Sequence, residues 1–288
     1  METGCVGKIY CLVNSSTNSI NEHAASEAFT RQSGSFDELF STNPIIIYKR
    51  QRVREHLQQY LGQNSKVLEI NAGTGEDALW LAQMGHEVHA TDISEGMQQV
   101  LAQKVKQHQL EEKITYEICS FTSLKNLKHQ GPYDLIFSNF AGLNCTGELD
   151  KVLESFAPLL KPGGVVTLVM LPGFCLWETL LFFKGKFKTA FRRFFGSGGV
   201  NAHIEGVNFT CWYYDPSYVI HIMKKSFEVI GLEGLCTLVP PSYMENFPRK
   251  HAGLFKWLMQ KENKYRSKWP WKVIGDYYII SLKKKAAK

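Results

Sequence analysis

An α/β fold with a mostly parallel sheet is predicted by three observations. Short apolar runs alternate with helical patterns from residue 66 to 171. Glycine- and proline-bearing turns stand at the junctions, as in "NAGTG" (71–75), Gly85 and "KPGG" (161–164). With 288 residues, 44% of them hydrophobic and 21% charged, the chain can bury helices on both faces of such a sheet.

Taken in order, residues 1–33 are rich in Ser, Asn, Thr and Gly and read as a flexible arm with a short helix at 22–30. The remainder, 34–288, reads as one domain. It opens with a helical lead-in, where Pro44 suits a first turn behind a cap at Thr42 or Asn43. Ile47, Val53, Leu57 and Leu61 make its apolar stripe and Gly62 stops it. Strand "KVLEI" (66–70), a helix at 76–84, strand "EVHATD" (87–92) and a helix at 94–108 follow. Strands at 114–119 and 133–139, a helix at 147–159 and strand "VVTLVML" (165–171) continue the alternation. After Leu171 the rhythm breaks for some 45 residues. A helix at 218–227 restores it, and strands near 227–236 and 276–285 close the chain before a lysine-rich tail.

The net charge of +6, with pI about 8.8, is mild and reads as a solvated face. Seven cysteines without a C-x-x-C pair argue against zinc and for reduced thiols; no metal is expected. The first residues lack the basic leader and apolar core of a signal peptide, and no apolar run is long enough to span a membrane, so a cytoplasmic location is expected.

Glu69 ends the first strand, and Asn71, Gly73 and Gly75 follow at alternate positions. Glycine lets the backbone turn sharply and a ligand approach closely, and Asn is the best substitute in a left-handed conformation. The helix from Glu76 offers free N–H groups, and Asp92, at the carboxyl end of the second strand, can accept hydrogen bonds from a ribose diol. The plain alternative is an ordinary tight turn; the sharper one is a nicotinamide dinucleotide site, since Gly73, Gly75 and Ala78 satisfy G-x-G-x-x-A. Glu69 separates these, because a carboxylate beside the cradle repels a pyrophosphate and suits a ligand carrying ammonium or sulfonium groups.

"VLEINAGTG", "VHATDIS", "YDLIFSNFAGLN" and "LKPGGVV", in this order and spacing across residues 36–172, resemble the class I S-adenosylmethionine-dependent methyltransferases. The resemblance implies a Rossmann-like seven-stranded sheet whose last strand is antiparallel, with S-adenosyl-L-methionine as cofactor and S-adenosyl-L-homocysteine as product. It implies that Glu69, Asn71, Ala72, Gly73, Thr74 and Gly75 line the methionine part. Asp92 would hold the ribose, Ile93 would lie against the adenine, and Met97 would also contact the cofactor. Ser120 and Phe121 follow the third strand, where the family contacts the adenine and often has Asp near the position of Ser120. Asn139, Phe140 and Ala141 end the fourth, where cofactor and acceptor meet. The family often has glycine where this chain has Asn71, so that residue must accept a left-handed backbone.

The break after Leu171, about 172–217, reads as an aromatic-rich lid over the acceptor, which suggests a small apolar or aromatic acceptor methylated at oxygen. His203, after the "GSGGVN" run, is the first choice of general base, with Tyr213 beside it; Tyr48, Trp177 and Tyr214 are acceptor contacts. Within the lid, "KFKTAFRRFF" reads as an amphipathic helix, with Phe187, Ala190, Phe191, Phe194 and Phe195 on one face and Lys186, Lys188, Arg192 and Arg193 on the other. The plainer reading packs the phenylalanines on the domain and leaves the charges in water; the alternative is weak contact of Lys186–Phe195 with a membrane surface or lipid. Competing functions are an NAD(P)-dependent oxidoreductase, a non-catalytic cofactor-binding module and a nucleic-acid methyltransferase. The last is disfavoured by "SNFA" where base-modifying relatives carry an "NPPY"-type sequence, and no nucleic-acid partner is expected.

Overall fold

The computed structural model describes residues 15–194 and 196–286. The start of the expected arm and Phe195 lie outside them. In chain order the elements are α1 (Ser15–Ser41), α2 (Pro44–Leu57), β1 (Lys66–Ile70), α3 (Glu76–Gln83), β2 (Glu87–Asp92), α4 (Glu95–Gln107), β3 (Ile114–Ile118) and β4 (Tyr133–Ser138). There follow α5 (Leu149–Glu154), α6 (Phe156–Leu159), β5 (Leu160–Met170), α7 (Leu176–Leu180), α8 (Phe187–Phe191), β6 (Val200–Ile204) and β7 (Val207–Cys211). The chain closes with α9 (Pro216–Met223), β8 (Phe227–Leu235), α10 (Phe247–Lys250), α11 (Ala252–Tyr265) and β9 (Tyr277–Lys284).

Seven strands form one sheet in the order β3-β2-β1-β4-β5-β9-β8. β1 to β5 pair in parallel, and β9 runs antiparallel to both β5 and β8. The Rossmann-like sheet with an antiparallel last strand is therefore present. The order reverses between β1 and β4, and a ligand crevice opens at the carboxyl ends of strands at such a point. Side chains alternate across β1, so Leu68 and Ile70 join a core with Phe156, Val219 and Met223, while Val67 joins Val53, Leu57, Leu81 and Leu101 on the other face. Glu69 shares the parity of Val67 and points to the α2–α3 side.

Asn43 caps α2: its Oδ1 accepts the N–H groups of Ile45 and Ile46, and Pro44 occupies the first turn. Pro44 also separates α2 from the helix before it, because a proline cannot continue a preceding helix. That helix corrects the expected arm. From residue 15 the chain is one 27-residue helix rather than a short helix at 22–30. Its stabilisation is tertiary. Asn21 donates to the Cys145 and Thr210 carbonyls and accepts the Thr210 N–H, while Ala25 and Ala28 pack on Phe209 of β7.

The 172–217 insertion also differs from expectation. It consists of α7, α8 and the β6–β7 hairpin, and the hairpin braces the outer side of α1, with the Phe29 and Phe209 ring centroids 5.9 Å apart. Among the described residues, no helix is long and apolar enough to cross a membrane.

Candidate cofactor site

The loop after β1 turns on left-handed residues: Asn71 at φ 50°, Gly73 at 57° and Gly75 at 81°. Asn71 takes this conformation and adds anchors that glycine lacks. Its Oδ1 accepts from Ser138 Oγ at 2.5 Å, and its Nδ2 donates to the Asn139 carbonyl at 3.0 Å. These tie the β1 loop to the end of β4 across the switch point. The close fit demands Gly142, where a Cβ would lie 2.3 Å from Asn71 Cγ. A Cβ on Gly75 would strike Leu101 at 2.1 Å, so that glycine serves helix packing.

A cavity lies over this loop. From the sequence-derived set it is lined by Glu69, Asn71, Ala72, Gly73, Thr74, Asp92, Ile93, Met97, Phe121, Asn139 and Phe140. Gly75, Ser120 and Ala141 stand next to lining residues but are not themselves in the wall. Asp92 Oδ2 accepts the Gly73 N–H at 2.9 Å, and Oδ1 accepts the Ser94 N–H at 2.8 Å. Ile93 is a third backbone donor, so the carboxylate keeps acceptor capacity for one further hydrogen bond. Burial raises the Asp92 pKa, opposed by these backbone donors.

Glu69 is buried, and its Oε2 has no hydrogen-bond partner among the described residues. Its pKa is pushed well up, first by burial and then by the charge of Asp77, with Arg50 and Arg54 pulling the other way. Asp77 itself is satisfied, accepting from Arg50, Arg54 and, at 2.7 Å, Asn139 Nδ2. Glu69 is thus a buried wall acid with one carboxylate oxygen left unpartnered. Phe140 and Ala141 follow with φ of 45° and 66°, a strained pair at the end of β4 that sets Phe140 in the wall.

The roof comes from α1. Glu22, Ala25, Ser26, Phe29 and Phe36 line the cavity from that helix, with Arg50, Glu76, Asp77, Ser94, Gly142 and Cys145 completing the residues that sequence reasoning missed. Positions 22, 25/26, 29 and 36 share one helical face, and that periodicity was the available signal. Ser26 Oγ donates to the Ile93 carbonyl, Thr30 bonds Ser94, and Thr74 Oγ1 donates to Asp37 at 2.6 Å. Glu22 accepts from Ser120 Oγ at 2.7 Å and Thr122 Oγ1 at 3.0 Å. The Thr30 carbonyl lies 2.9 Å from where a Cβ of Gly96 would stand, so α1 rests directly on α4.

The residues expected to act on the acceptor are not brought to this cavity. His203 is exposed on β6, with Nδ1 bonded to Asn208 Oδ1 at 3.0 Å. Tyr213 is buried against the Arg193 guanidinium, and Tyr214 Oη donates to the Thr146 carbonyl at 2.6 Å. Trp177, on α7, is not in the wall. Tyr48 donates to Glu262 Oε1, whose carboxylate also accepts the N–H groups of residues 236–239. Tyr48 therefore closes a turn rather than the cofactor cleft.

The amphipathic segment departs from expectation: Lys186, Lys188 and Arg192 stay exposed, but the described phenylalanines are exposed with them and Arg193 is buried. Arg193 is buried, bonded to Glu178 and Asp276 at 2.7 Å each, and Arg192 also pairs with Glu178. Ala190 is buried, whereas Phe187, Phe191 and Phe194 are exposed. Two buried carboxylates hold Arg193 inside, and the rings turn out. Cys175 lies close to Glu178 and Asp276, but Arg193 already supplies the positive charge there, and the set does not suit a metal.

The residues present fit S-adenosylmethionine on three grounds. An unpartnered carboxylate oxygen could receive an ammonium, a second carboxylate retains acceptor capacity, and a Cβ on Gly73 would meet nothing within 4 Å, which leaves the loop backbone open to a ligand.

Comparison with known proteins agrees. Residues 67–164 match the family model described as a methyltransferase domain. A demethylmenaquinone methyltransferase of Bacteroides fragilis is 33% identical over 111 residues, which is 37% of this chain and 43% of the relative. The chain thus spans less than half the length of that curated relative. Burkholderia thailandensis 1,6-didemethyltoxoflavin-N1-methyltransferase superposes with TM-score 0.57 at 12% identity, covering 96% of this chain and 93% of its own. The cyclase SpnF superposes with TM-score 0.52 at 15% identity, covering 82% and 81%. The structural likenesses establish the fold, and residues 67–164 carry the methyltransferase domain, so the chain has the class I S-adenosylmethionine-dependent methyltransferase fold built around that domain.

Proposed function

We propose that the chain transfers a methyl group from S-adenosylmethionine to the hydroxyl of a small aromatic acceptor. The observation that carries the cofactor half is the buried Glu69 oxygen without a partner, set beside a glycine-bearing loop and Asp92. Bound S-adenosylmethionine supplies an activated methyl group on a sulfonium. Glu69 would hold the ammonium, Asp92 the ribose hydroxyls, and α1 would exclude water from above.

The acceptor half is read from the rest of the wall. Phe29, Phe36 and Phe140 offer aromatic faces, and Arg50 lines the same space with its guanidinium 5.4 Å from the Phe140 ring centroid. No histidine lines the cavity among the described residues. An acidic hydroxyl that ionises unaided, steadied as an anion by Arg50, is methylated in such a site by holding the reactants in line. A curated relative named a demethylmenaquinone methyltransferase and a structural neighbour bound to 1,6-didemethyltoxoflavin support a small acceptor.

The test is calorimetry followed by a labelled-methyl screen. S-adenosylhomocysteine should bind and NADH should not; phenols should accept label in preference to amines. Tight NADH binding with no binding of the homocysteine product would overturn the cofactor assignment. Labelling of amines alone would overturn the acceptor.

A further inference from the structure

We propose that the phenylalanine cluster of residues 182–194 docks this protein on the surface of an anionic lipid bilayer. The cluster is exposed beyond what a lone surface ring would be. Phe183 is 82% exposed, Phe187 54%, and Phe182, Phe191 and Phe194 are each at least 40% exposed. The rings form one patch: Phe182 meets Phe183, Phe187 and Phe191 edge-on at centroid distances of 5.6, 5.2 and 5.8 Å, and Phe191 meets Phe194 at 5.9 Å. Contiguous apolar surface of this kind marks an interaction site.

The charges decide the occupant. Residues 179–204 contain no Asp or Glu, but include Lys184, Lys186 and Lys188, which are exposed and make no ion pair among the described residues. The neighbouring acid, Glu178, is buried and already neutralised by Arg192 and Arg193. An acidic protein surface would satisfy the lysines but would place charge against the rings. A bilayer offers phosphate at one depth and hydrocarbon just below it, which matches lysines interleaved with phenylalanines.

The mount is firm. Arg193 is clamped between Glu178 and Asp276, Leu176 N–H donates to the Ile274 carbonyl, and Phe174 braces Phe194 at 5.7 Å. The rings are thus held outward by a buried ionic base. The patch also follows the carboxyl end of β5, the end of the sheet where the cofactor cavity opens.

Sedimentation with vesicles tests this on the full chain. The probes are phosphatidylcholine vesicles with and without phosphatidylglycerol, at low and high salt. The wild-type chain should partition onto the anionic vesicles and be released by salt. F183S/F187S should lower the partition at least about tenfold, and K184A/K186A/K188A about a hundredfold, with thermal melting unchanged because all five side chains are exposed. Equal partition onto neutral and anionic vesicles, no partition, or wild-type partition by either variant would overturn the proposal. So would a dimer in the ultracentrifuge that F183S/F187S dissolves while no vesicle is bound, since the occupant would then be a second copy.

Discussion

The loop after β1 and the insertion after β5 are both rich in chemistry-bearing residues, yet they are specified in different ways. In the loop, each residue answers a local backbone demand: left-handed φ at Asn71, Gly73 and Gly75, an N–H for each Asp92 oxygen, an open approach at Gly73. In the insertion, the arrangement is dictated from a distance. Glu178 lies 15 residues from Arg193, and Asp276 lies 83. That pairing draws one arginine in from a basic segment and leaves the phenylalanines beside it exposed. Local demands are written into short motifs, whereas a partner across the chain leaves no mark on periodicity.

The contrast is broken most forcefully at the insertion. Arg193→Met would leave Asp276 buried without its charge partner and is expected to cost about 3–5 kcal/mol of folding stability. Chemical denaturation measures this. Affinity of the folded fraction for S-adenosylhomocysteine should stay as in the wild type, because no residue of the clamp lines the cavity. A loss of affinity as large as the loss of stability would mean that the two regions are one cooperative unit.

Glu69→Gln is expected to do the reverse. Loss of a charged partner for the ammonium should weaken S-adenosylhomocysteine binding by about 1.5–3 kcal/mol, tenfold to a hundredfold or slightly more. Stability without ligand should not fall. The folded-state pKa of Glu69 is raised, so its contribution to the fold is complete below the ordinary carboxylate pKa and is lost as pH rises through the raised value. Glutamine does not ionise and escapes that loss at neutral pH. Ligand binding has the opposite sense. A cation lowers the Glu69 pKa, so binding releases a proton, and affinity should fall as pH drops below the free protein's value. Calorimetry across pH should show this slope in the wild type and lose it in the variant.

Asn71 sharpens the same comparison at smaller scale. Asn71→Gly keeps the left-handed backbone and loses the two side-chain bonds, for about 1 kcal/mol. Asn71→Ala loses the bonds and also pays the left-handed penalty, about 1–2 kcal/mol more. If glycine and alanine cost the same, the positive φ of residue 71 is not what specifies the loop.

Much of the site was legible for this reason. The three glycine or asparagine positions, Asp92 and the Glu69 anomaly can be read from five contiguous residues and two strand ends. The roof was not. α1 faces the cavity with the mixed set Glu22, Ala25, Ser26, Phe29 and Phe36, and it is tied down by the polar side chains of Asn21, Ser26 and Thr30. Polar residues spent on tertiary hydrogen bonds look, in sequence, like the composition of an unstructured arm. The lid was therefore assigned to the aromatic insertion, which instead supports α1 from outside through β7.

The smallest effect is expected at His203, and it is the most direct check on that reassignment. Sequence position made this histidine the natural base: it follows a glycine-rich run within a presumed lid. Its ring lies exposed on a hairpin, bonded across the turn to Asn208, while the cavity wall is built from the sheet's loops and helices α1 to α4, with no residue of the hairpin. A group removed from the reacting atoms cannot take a proton in the transition state, since a base must stand within hydrogen-bond reach or one water of it. His203→Ala should therefore leave kcat on a methylatable phenol within about twofold of wild type, where loss of a true base costs about 10²–10⁴-fold. A deficit of that larger size would mean that the hairpin folds over the acceptor when it binds, and that α1 is only half of the cover.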